Sequence, residues 1–103
     1  MNFGGMGNML KQAQQMQARM AKLKEELAAR TCEASAGGGA VTAVASGDLQ
    51  IKSITIDPEL AKSGDAGMLQ DLVLTAVNQA LGKAQDLASA EMAKITGGFK
   101  LPF

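Results

Sequence analysis

With 103 residues, ten basic and ten acidic side chains and no net charge, the chain is one domain without bulk electrostatic attraction for a polyanion. No stretch of membrane-spanning length is free of charge, and the opening MNFGGMGNM lacks the basic-then-apolar pattern of a secretory signal. There is no histidine and one cysteine, Cys32, which excludes an internal disulfide and the common zinc ligand sets and leaves no imidazole to activate a nucleophile. These features predict a cytoplasmic protein with no membrane partner, no small-molecule substrate, no catalytic residue and no metal or cofactor.

Core material is thin. Of the 47% counted as hydrophobic, 18 residues are alanine, and all three aromatics, Phe3, Phe99 and Phe103, lie near the termini. A chain of this size with so little apolar bulk is expected to bury surface by self-association, so a homodimer is predicted.

In chain order, residues 1–7 read as a flexible leader, with Asn8 as the N-cap of a helix running to about Arg30. Met9, Ala13, Met16, Met20, Leu23 and Leu27 recur at steps of four and three, the rhythm that lays one narrow apolar seam along a helix. That seam is expected to be covered by a second copy or by the other helix. Glu25, Glu26 and Arg30 are spaced for an exposed pair across one turn.

A short strand over 31–36, a turn at Gly37, Gly38 and Gly39, and a second strand over 40–45 follow, with Val41, Ala43 and Ala45 on one face. A third strand over 49–56 is the strongest, but Ile51 falls opposite in parity to Ile54 and Ile56. The mismatch predicts a bulge or a sheet partly covered on both faces. Asp57 and Pro58 stop it, and 59–67 reads as a polar connection in which Ser63 or Asp65 caps a second long helix, 66–95. Leu69, Leu72, Val73, Ala76, Val77, Ala80 and Ala84 give that helix one buried stripe. Residues 97–103 read as a flexible tail. The fold class is α+β: a small antiparallel sheet flanked by two long helices, in the order αβββα.

Charge is unevenly distributed. Residues 1–24 carry Lys11, Arg19, Lys22 and Lys24 and no acid, residues 25–71 are net negative by five, and residues 72–103 are net positive by one. Cations of the helical ends therefore form the candidate surface for a nucleic-acid backbone: Lys11, Arg19, Lys22 and Lys24 from the first helix, and Lys83, Lys94 and Lys100 from the C-terminal region. Glutamines 12, 14, 15 and 17 lie among them and can donate to phosphate or reach a base edge. Asp57 and Glu59, flanking Pro58, read as turn caps and not as a catalytic carboxylate pair. The triple glycine is not a phosphate loop, since a strand follows and no Lys-Ser or Lys-Thr pair does.

The strings FGGMGNMLKQAQQMQARM, GGG before a strand, ITIDPEL and GFKLPF occur in one order across almost the whole chain, and together they resemble the YbaB/EbfC family of nucleoid-associated proteins. The resemblance implies a subunit that dimerises through its central region with helices projecting like the arms of tweezers. It also implies binding to double-stranded DNA in the cytoplasm, at the nucleoid, with little sequence preference. Ala43 and Ala45 depart from the larger β-branched residues more frequent in the family. A second reading of the same residues is a protein-binding adaptor whose arms engage the DNA replication or repair machinery.

Overall fold

The structure, a computed structural model, describes residues 4–97. Six elements follow one another: α1 (Gly4–Ala29), β1 (Thr31–Ala36), β2 (Val41–Ser46), β3 (Ile51–Ile56), α2 (Pro58–Lys62) and α3 (Ala66–Thr96). The three strands form one antiparallel sheet in the order β1-β2-β3.

β2 and β3 begin one and two residues later than the sequence reading, and two larger differences concern the helices. α1 begins at Gly4, so Asn8 is an exposed residue within the helix and not its cap. The glycines there weaken a helix by about 1 kcal/mol each relative to alanine, but nothing in residues 4–7 removes a ladder donor as proline would. The connection after β3 also contains a helical turn, α2. Asp57 Oδ1 accepts from the Glu59 amide at 2.9 Å, and Pro58 in the first turn has its backbone angle already set for a helix. α3 is capped by Asp65, whose Oδ1 accepts from Met68 N at 3.0 Å.

Alanine dictates the packing. Ala34, Ala36, Ala43 and Ala45 on one sheet face, together with Val41, meet Ala76, Ala80 and Ala84 of α3, and all of them are buried. Small side chains on both sides let the helix approach the sheet closely, so the alanines at 43 and 45 are matched by alanines opposite. The core is thin because it is shallow.

The β2–β3 register is interrupted: Val44 pairs with Ser53 and Ala45 with Ile51, leaving Lys52 as the extra residue of a bulge. The bulge resolves the parity conflict. Directly opposed residues share a face, so Ile51 (opposite Ala45), Ile54 (opposite Ala43) and Ile56 (opposite Val41) all project to the α3 side of the sheet. α3, however, lies mainly over β1 and β2, and Ile54 remains 43% exposed.

The turn between β1 and β2 uses positive φ at Gly37, Gly38 and Gly39, as a triple glycine permits. The turn after β2 carries Gly47 against the end of α1. Its amide donates to Leu27 O and Arg30 O, both at 2.9 Å, and satisfies carbonyls that a helix end leaves free. Leu23 and Leu27 bury the C-terminal half of α1, worth roughly 1.5–3 kcal/mol each.

The result is long. Its principal extents are 76 × 25 × 16 Å and its radius of gyration is 20.4 Å, against about 13 Å for a compact domain of this length. α1 and the end of α3 run antiparallel away from the sheet as an arm, and α1 extends past the last residues of α3.

Candidate nucleic-acid interface

α1 contains no proline and, beyond its first turn, is built mostly from Gln, Lys, Met, Ala and Leu, residues that lose little freedom in a helix. At about 100° per residue, Lys11, Gln12, Gln15, Arg19 and Lys22 fall within one arc of roughly a third of the circumference. All five are exposed. From Lys11 to Lys22 this strip spans about 16 Å of helix axis. It holds no acid before Glu26, which follows one turn after Lys22.

Lys24 lies on another flank, beside Ala13, Met16, Gln17, Met20 and Ala21, and does not extend the strip. The seam of six apolar residues splits in two: Leu23 and Leu27 are buried, Met16 and Met20 half-buried, and Met9 is 71% exposed. Its outer half has no cover among the described residues, because α3 meets α1 only near its C-terminal end.

Where the helices cross, Arg19, Lys22, Leu23 and Glu26 of α1 and Glu91, Lys94 and Ile95 of α3 line one cleft. Lys94, distant in sequence, is therefore a neighbour of Arg19 and Lys22. Glu91 Oε1 accepts from Arg30 Nη1 at 3.2 Å and from Lys94 Nζ at 3.1 Å, tying the end of α1 to α3. The Lys94 hydrogen bond, helped by the charges of Lys94 and Arg30, holds the Glu91 carboxyl below its ordinary value against the opposing pull of partial desolvation. Arg30, expected to pair with Glu25 or Glu26, pairs instead with a residue 61 positions away, a relation no local spacing signals.

Lys83 stands apart from the arm. Its Nζ donates to the Glu33 carbonyl at 2.9 Å, covering the outer edge of β1 with a charge. Lys100 lies outside the described residues. Among the described residues no group of three or more His, Cys, Asp or Glu side chains gathers to hold a metal ion, and no helix is long and apolar enough to cross a membrane.

The geometry can present exposed ammonium and guanidinium groups, with amides between them, along one side of a rigid rod. Such a row suits a regular array of phosphates. A sequence model described as the YbaB/EbfC DNA-binding family matches residues 1–99. A "Nucleoid-associated protein" of Acetivibrio thermocellus is 58% identical over 97 residues, covering 93% of this chain and 86% of that one. Another of the same description, from Moorella thermoacetica, is 52% identical over 102 residues, covering 99% and 98%. In three dimensions the chain is similar to the crystal structure of an uncharacterized protein from Helicobacter pylori, with a TM-score of 0.77 at 21% identity and coverage of 94% and 99%, a likeness of fold alone.

Proposed function

The chain belongs to the YbaB/EbfC DNA-binding family, and from that premise we propose that it binds duplex DNA as a homodimer at the nucleoid, with little sequence preference. The observation that carries this reading is the convergence of Arg19, Lys22 and Lys94 at the root of a projecting arm whose exposed side continues to Lys11. Lysine and arginine on an exposed rod neutralise phosphates and release counterions irrespective of base sequence, and the interleaved glutamines add donors to the same backbone. The 16 Å of strip is of the order of a groove width, about 12 Å for the major groove, so one arm suffices to touch phosphates on both sides of it.

Dimerisation has separate support. Ile54, 43% exposed, lies between the half-buried Ile51 and Ile56 on the α3 side of the sheet, and Leu74, 60% exposed, borders a groove with Ile56, Leu69, Val73 and Val77. β3 is an edge strand with no charged side chain beyond Lys52. An apolar shelf next to a free strand edge is the kind of surface that a second copy buries. Two subunits joined there would double the number of cations offered to one duplex.

The test is a mobility-shift titration on long duplexes of unrelated sequence at two salt concentrations, with sedimentation of the free protein. The proposal requires similar affinity across sequences, a steep fall with salt and a dimeric species. No shift even at low salt would instead favour the adaptor.

A further inference from the structure

Building on the duplex-binding reading above, we propose that Glu91 limits the strength of that binding by holding Lys94. On contact with a duplex the Lys94 ammonium passes from the Glu91 carboxylate to a phosphate, and Arg30 keeps the carboxylate paired.

One oxygen, Glu91 Oε1, accepts from Lys94 Nζ at 3.1 Å and from Arg30 Nη1 at 3.2 Å. The two cations differ in what else they face. Lys94 lines the cleft with Arg19 and Lys22, where the cationic strip meets the root of the arm, and Arg30 does not line it. Exposure separates lysine from acid: the Lys94 side chain is 72% exposed and the Glu91 side chain 22%. The ammonium can therefore swing out on its flexible stem while the carboxylate stays where α3 puts it. Once Lys94 has left, Arg30 still neutralises Glu91, so the exchange leaves no carboxylate without a cation.

An exposed lysine–carboxylate pair is weak and screened by salt, so a closely spaced row of phosphates displaces it. The exchange is not free of cost. Whatever Glu91 contributes to holding Lys94 is subtracted from duplex binding, because coupling between two partners of one group is reciprocal. The Lys94 hydrogen bond is the foremost cause holding the Glu91 carboxyl below its ordinary value, ahead of Arg30, which makes the lysine the stronger of the two ties. Glu26 brings a second acid to the same cleft, whereas the strip from Lys11 to Lys22 contains none. The root of the arm thus binds below the full strength of its cations. Glu91 is a positioning residue in this scheme: it touches no nucleic acid and acts through Lys94.

The test is a double-mutant cycle in the full-length chain. Affinity for one duplex at fixed low salt is measured for wild type, Glu91→Gln, Lys94→Ala and Glu91→Gln/Lys94→Ala, with urea unfolding of each. Glu91→Gln should bind about two- to five-fold tighter for each arm engaged, the range that exposed ion pairs span, although it is the less stable protein. In the Lys94→Ala background the same substitution should change affinity by less than it does with Lys94 present. A carboxylate that only braced the arm would lower stability and affinity together, so Glu91→Gln binding no tighter than wild type overturns the proposal. An equal gain with and without Lys94 also overturns it, because Glu91 would then act by repelling phosphate directly. Those two failures leave the duplex reading standing, whereas no binding by the wild type overturns both.

Discussion

Glu91 of α3 accepts at 3.2 Å from Arg30, just past the end of α1, closing a loop of 61 residues at the base of the arm. With Lys94 on the same oxygen, one carboxylate serves two cations, and the arm is held where the helices cross.

The tie is expected to depend on pH. Glu91's carboxyl is held below its ordinary value of 4.5, so the unfolded chain binds its proton more readily than the folded one. Its contribution is therefore present above pH 4.5 and is lost as pH falls through the lower folded-state value. Urea unfolding of wild type and Glu91→Gln should differ at neutral pH, with the wild type slightly more stable, and the difference should narrow below pH 4.5. A gap that widens in acid contradicts the sign of the shift.

The alanine layer should resist enlargement. Ala80 has no exposed surface and faces a sheet surface made of alanines and Val41, so Ala80→Val forces helix and sheet apart. A loss of about 1–3 kcal/mol in chemical denaturation is expected, the usual cost of overpacking. A neutral outcome would mean that the layer is looser than close packing allows.

Two glycines should respond with opposite signs. A Cβ on Gly47 would stand 2.7 Å from Leu27 O and 2.9 Å from Leu27 Cβ, where the turn caps α1, so Gly47→Ala should destabilise by roughly 1–3 kcal/mol. At Gly82, inside α3, an added Cβ meets nothing within 4 Å, and Gly82→Ala should stabilise by about 0.5–1 kcal/mol through the unfolded chain and helix propensity. Melting temperatures of the pair, moving in opposite directions, check both.

Much of the fold was legible because its signals are local. Caps at Asp57 and Asp65, the face shared by Val41, Ala43 and Ala45, and the parity clash at Ile51 that became a bulge at Lys52 all depend on neighbours within a few residues. The misses are of another kind. α1 starts at Gly4 although glycine is a poor helix former, and Arg30 leaves its near carboxylates for Glu91. The alanines that make the core thin also mark a helix and sheet in close approach, a pairing that one strand or one helix does not reveal. For the site, the strip Lys11–Arg19–Lys22 follows from helical spacing alone. That Lys94 joins it while Lys83 turns to the edge of β1 depends on how α3 crosses both the sheet and α1.

Lys83 provides the internal control for DNA binding. Its ammonium already serves the Glu33 carbonyl, and the ~16 Å of α3 between it and Lys94 removes it from the arm. Lys83→Ala should change affinity for duplex less than the loss of any one of Lys11, Arg19 or Lys22, as read by fluorescence anisotropy at fixed salt.

The most direct test of the arm as a phosphate-binding surface is the salt dependence of duplex binding by the wild type and by the Lys11→Ala/Arg19→Ala/Lys22→Ala variant, both shown by sedimentation to keep the same oligomeric state. Plotted as log affinity against log salt, the wild-type line should be steep. The variant's should be shallower by about 0.9 for each phosphate it no longer neutralises, with affinity reduced equally for unrelated sequences. Parallel lines for the two proteins would contradict the account.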